Sequence, residues 1–164
     1  MSHPLNHAEL EAHLRHMIEL EKRSGDFLLA SVIQDSLVYN LHGYVNHQEL
    51  NQISRFASEI AVKAAVEALH RDPSTILQTC RGVMHALANL GLDPVVAAIS
   101  VTFGALHYLA DTADELDVNA IVKGVSRAAD ELGVGTETVR ACEHLVWCLR
   151  SPSPSTAPIR PAAG

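Results

Sequence analysis

From Leu50 to Ala68 the apolar residues Leu50, Ile53, Ala57, Ile60, Ala64 and Ala68 follow one another at steps of three and four. That spacing lays one stripe along an α-helix and does not fit the alternation of a strand. Half of the stripe is alanine, so a neighbouring helix can approach closely. The rest of the chain has the same character: 48% of its 164 residues are apolar and only 4% aromatic. A core of Ala, Leu, Val and Ile suits packed helices better than sheets. The fold class that follows is all-α, a compact bundle of about seven helices.

Local signals divide the chain. Leu10, Leu14, Met17 and Ile18 form a stripe over Asn6 to Lys22, and Ser24 and Gly25 interrupt it. A second helix, apolar on most sides and therefore expected to be central, ends near Gly43, where a left-handed glycine would close it. Asn46 and Glu49 have the spacing of a capping box for a third and longest helix, running to about His70. Asp72-Pro73 and Asp93-Pro94 each offer an N-cap acceptor followed by a proline at the first helical position. The acidic stretch "DTADELDVN" reads as a solvated connection to a sixth helix near Val118 to Leu132, and a seventh runs near Glu137 to Leu149. One domain over residues 1–150 accounts for these helices. Residues 151–164, "SPSPSTAPIRPAAG", are rich in proline and serine and are expected to be a flexible tail.

An internal echo links two of the segments. "RGVMHALANLGL" from Arg81 aligns with "KGVSRAADELGV" from Lys123, 42 residues further on, and five of the twelve positions are identical. A duplication or a shared turn chemistry would both produce it. Either way, two similar helical hairpins are expected, residues 73–112 and 116–150.

The second hairpin carries the main functional clue. "RAADELGVGTETVR" resembles the turn of a DNA-binding helix-turn-helix, with Ala129, Gly133 and Val139 in the usual places. A DNA-binding regulator using residues 125–144 would contact DNA through Arg140 and His144. Charge argues against it. Lys123, Arg127, Arg140 and Arg150 are offset by Asp130, Glu131, Glu137 and Glu143, and the whole chain carries a net charge of −7. The first hairpin, with the same Leu-Gly turn, leads into an apolar helix that belongs in a core rather than a groove. The shared turn is thus explained by packing.

Two other site readings follow from the polar residues. Glu9, His13 and His16 lie on one face of the first helix and offer carboxylate and imidazole to a metal, though no second helix supplies a matching set. Gln34, Asp35, Asn40, His42, His85 and His107 interrupt apolar segments; of these Asp35, His85 and His107 are the candidates for lining a small-molecule pocket. No phosphate loop, nucleophile elbow or zinc-protease motif occurs in the sequence. Cys80, Cys142 and Cys148 form no CxxC pair and read as the reduced thiols of a cytoplasmic protein. The most apolar run, Pro94 to Ala110, contains Ser100, Thr102 and His107 and reads as a buried helix, not a membrane span. The expectation is a non-enzymatic regulatory or scaffolding module without cofactor, acting by protein–protein interaction and self-associating into a homo-oligomer. A helix-turn-helix regulator and a metal- or small-molecule-binding protein are the alternatives.

Overall fold

The computed structural model describes residues 5–23, 28–44 and 47–150. Seven α-helices account for most of them: α1 (His7–Lys22), α2 (Leu29–Leu41), α3 (His47–Ala68), α4 (Pro73–Asn89), α5 (Pro94–Leu109), α6 (Glu115–Leu132) and α7 (Thr136–Arg150). A single 3-10 turn, Ala110–Thr112, follows α5, and no strand occurs among the described residues. The protein is all-α. The proposed tail at 151–164, the break at Ser24 and Gly25, and the cap at Asn46 lie outside the described residues.

Each helix from α1 to α5 packs more extensively on the helix two places ahead than on its immediate successor. The bundle is therefore laid out in two layers, with α1, α3, α5 and α7 in one and α2, α4 and α6 in the other. One apolar cluster fills the space between them, from Leu10, Leu14 and Ile18 on α1 through Ile33 and Leu37, Ile76 and Met84, to Ile121 and Cys142. Helix α4 is central, packed on α2, α3, α5 and α6. This corrects the expectation for α2, which lies at an edge with Asp35 and Tyr39 exposed. Apolar composition on most sides of α2 does not reveal which neighbours it meets.

Local chemistry explains the helix ends. Asn6 Oδ1 accepts from Glu9 N, Asp72 from Thr75 N, Asp93 from Val95 N and Val96 N, and Asp114 from Asp117 N. At Asp114 the bond is reciprocal, because Asp117 Oδ2 accepts from the Asp114 amide, so the acidic stretch is a capping box and not merely a connection. Helix α6 accordingly starts at Glu115, three residues before the expected Val118. Gly43 does not take a left-handed conformation; α2 instead ends through right-handed His42, whose amide donates to Val38 O.

The ends of α4 and α6 coincide at the 42-residue offset. Leu92 N donates to Leu87 O and Val134 N to Ala129 O, the six-residue bond of a Schellman motif, with Gly91 (φ 91°) and Gly133 (φ 67°) in the left-handed conformation that permits it. Two further glycines correspond inside the helices. A methyl group on Gly82 would lie 2.4 Å from Ala30 O of α2, and one on Gly124 would lie 2.6 Å from Leu77 O of α4. In each case the missing side chain lets two backbones approach within van der Waals distance.

The other layer uses hydroxyls. Ser54 and Ser100 share a 2.8 Å hydrogen bond between α3 and α5, and Ser58 donates to Ser54 O. Thr102 Oγ1 lies 2.7 Å from Ala98 O and 3.0 Å from Cys142 Sγ. With its one proton given to the carbonyl, it accepts from the buried thiol. Arg71 ties the layers together beyond α3, donating to Thr112 Oγ1, Thr112 O and the buried carboxylate of Asp117. Pro94–Thr112 is long and apolar enough to cross a membrane by length and composition, and half of it is buried inside the fold.

Candidate functional site

Helix α5 buries Ala97, Ala98, Val101 and Ala105 and raises Phe103 and His107, one turn apart, between its neighbours. Their rings stack at 6.2 Å with 6° between planes. From α3, the Arg55 guanidinium sits 4.8 Å from the centre of the Phe103 ring, and Glu59 Oε1 lies 2.9 Å from His107 Nδ1. Gly104 is what permits this arrangement: a methyl there would fall 2.7 Å from Arg55 O and Glu59 N. The α5 backbone therefore rests on the very turn of α3 that carries the two charged side chains, and the four groups form one ridge.

Open clefts lie on both sides of this ridge. One, of about 660 Å³, runs over α3 past Asn51, Gln52 and Phe56. The other, of about 510 Å³, runs toward α7 past Leu106, Ala113 and Leu149. Phe103 and His107 belong to both. Phe56 is 50% exposed, and His7 from α1 lies beside it with ring centres 5.2 Å apart. The face combines exposed aromatic area at Phe56, an arginine held by an aromatic face, and a carboxylate within reach. Among the described residues no Ser, Thr, Cys, Lys or Tyr lines either cleft.

At the upper end of the second cleft the backbone departs from ordinary geometry. Ala110 has φ 49° and ψ −137°, a region that residues with a side chain rarely adopt. The 3-10 turn begins there, and Arg150 of α7 donates to Ala113 O close by.

A separate cleft of about 510 Å³ opens on the other layer and contains Gln34, Gln78 and His85. Arg81 Nε and Nη2 each donate to Glu131 at 2.6 Å, and His85 Nε2 is 3.5 Å from the same carboxylate. The Arg81 bonds hold Glu131 below the usual carboxylate range and raise Arg81 in return. The pair closes on itself and clamps α6 to α4.

The pocket candidates are thus dispersed. His85 lines the α2–α4–α6 cleft and His107 the ridge on the opposite layer, while Asp35 is exposed and lines neither cleft. Asn40 is engaged with His13 Nδ1 at 2.7 Å and Ser36 O at 2.6 Å, and His42 Nδ1 lies 2.6 Å from Tyr39 O. His13 is thus engaged with Asn40, while Glu9 and His16 are exposed. Among the described residues no three His, Cys, Asp or Glu side chains are placed to hold a metal ion. Arg140 and His144 are exposed on α7. The cysteines are free, and burial pushes the Cys142 thiol up to about 11 and the Cys80 thiol higher still.

Phe103, Arg55 and Glu59 were not visible as a group in the sequence. The available signal was scarcity: two of only three phenylalanines, Phe56 and Phe103, fall on this one face. Compared with protein families, with curated proteins and with solved structures, the chain matches none.

Proposed function

We propose that the protein is a non-enzymatic scaffolding or regulatory module, working in the cytoplasm, that binds a protein segment along the α3–α5–α7 face and also self-associates. The observation that carries this reading is the Arg55–Phe103–His107–Glu59 ridge with a cleft on either side. Aromatic and arginine side chains of this kind supply most of the energy at protein interfaces, and a carboxylate at the rim selects among partners by charge. A partner segment with apolar side chains for the two clefts and a basic group opposite Glu59 fits the face.

Crosslinking tests it. A photoreactive phenylalanine analogue in place of Phe56 should trap one discrete protein in cells, and Arg55→Glu should abolish the product. Absence of a discrete product, or a product indifferent to Arg55, overturns the proposal. The DNA reading has Arg140 as its exposed contact. Its local charge balance and the engagement of Arg150 with Ala113 O both weigh against it. No salt-sensitive shift with duplex DNA is expected, and one that disappears in Arg140→Ala would replace the present reading.

A further inference from the structure

Helix α7 closes the first layer, and its outward side is uncovered by any other described helix. That side carries Arg140, His144, Trp147 and Cys148. Trp147 is 71% exposed and is the only tryptophan in the chain. Cys148 is the one exposed thiol. Its Sγ lies 3.5 Å from His144 Nε2, one helical turn away.

That separation has a specific meaning. Zinc binds cysteine sulfur at about 2.3 Å and histidine nitrogen at about 2.0–2.1 Å in a tetrahedron, so the edge between two such ligands is about 3.5 Å. The His144–Cys148 separation, held by a hydrogen bond, matches the length of one such edge. Two ligands are half of a closed structural site. A metal on a two-fold axis would take the same pair from a second copy and complete a Cys₂His₂ set. Antiparallel apposition of two α7 helices centred near Val146 brings His144 of one copy opposite Cys148 of the other, and covers both tryptophans.

We propose that His144 and Cys148 form a half-site for zinc, completed by the same two residues of a second copy, so that zinc holds the protein as a symmetric dimer through α7. This goes beyond the docking clefts, one of which takes Leu149 and Arg150 from α7, and it rests on the self-association proposed above, to which it gives a specific form. Binding converts two thiols to thiolates, and the two protons pass to solvent. Both imidazoles coordinate in the neutral form through Nε2.

The test uses the full chain, kept reduced with a phosphine and stripped of metal. Zinc titration followed by light scattering and tryptophan fluorescence should give a doubled mass and a blue shift that both saturate at one zinc per two chains. Cobalt(II) should give tetrahedral ligand-field bands together with a thiolate-to-cobalt band. Cys148→Ser and His144→Ala should each abolish the doubling and the thiolate band. Both substitutions are on the exposed face, and an unchanged circular dichroism spectrum shows that they fold; Arg140→Ala, one turn away, should still dimerise. A chain that stays monomeric with saturating zinc overturns the proposal. So does a metal complex lacking the thiolate band, which would report other histidines, or a dimer that is present before zinc is added and survives chelator.

Discussion

The α4–α5 and α6–α7 pairs share several local features and live in different surroundings. Each opens on an aspartate cap, Asp72 or Asp114, and each first helix carries an internal glycine pressed on a neighbouring backbone and ends in a Schellman turn around a left-handed glycine. Helices α4 and α5 are packed on both sides within their layers, whereas α6 and α7 have a neighbour within the layer on one side only. Similar local grammar thus yields a core element in one case and an exposed end in the other. The contrast teaches that turn chemistry settles how two helices meet, while position in the stack settles which faces remain for a partner.

The glycines give the largest expected effect on this comparison. Gly82→Ala should cost about 3 kcal/mol and Gly124→Ala about 2 kcal/mol in urea unfolding, because each methyl meets a carbonyl of another helix that moves only with its backbone. A Gly124→Ala protein as stable as the parent would mean that the α6–α7 pair is attached far more loosely than its geometry implies. The caps come next. Asp72→Ala and Asp114→Ala should each cost about 1 kcal/mol, with the larger loss at Asp114, where the reciprocal bond from the Asp114 amide to Asp117 also depends on the cap conformation.

Ala110 has no strained counterpart among the described residues of the second pair. Ala110→Gly should raise stability by up to about 1 kcal/mol, since glycine adopts a φ of 49° without steric penalty. An unchanged or lower melting temperature would show that the turn after α5 is not strained. The smallest effect belongs to the clamp between the pairs. Arg81 holds Glu131 below its ordinary value of 4.5, so the carboxylate contributes stability above that pH and loses it as pH falls through the depressed folded value. The pair is partly exposed, so its worth at neutral pH is well under about 1 kcal/mol. Arg81→Ala should remove that portion of the acid sensitivity, and acid titrations that superimpose for the two proteins would break the assignment.

Helix number and most boundaries were legible because they depend on neighbours in sequence. Asp-Pro marks the starts of α4 and α5 directly, and the Leu-Gly exits mark the ends of α4 and α6. The start of α6 was missed because Asp114 and Asp117 sit in an acidic run that resembles a solvated connection, with Leu116 exposed and giving no apolar rhythm. The position of Asp35 was missed for a different reason: α2 is apolar enough to be central, yet its place at an edge is decided by which helices stack on it. The ridge was hidden because α5 is apolar on almost every side, and only α3 determines that Phe103 and His107 emerge where Arg55 and Glu59 meet them.

The close approach at Gly124 bears on how far such a stack can extend. Leu77 and Arg81 belong to the side of α4 that receives α6; the positions 42 residues on are Asn119 and Lys123, both exposed. Adding another helix there would mean stripping water from an amide and an ammonium with no partner supplied. An added helix is therefore disfavoured on that side of α6, and the layer that α4 continues ends there among the described residues.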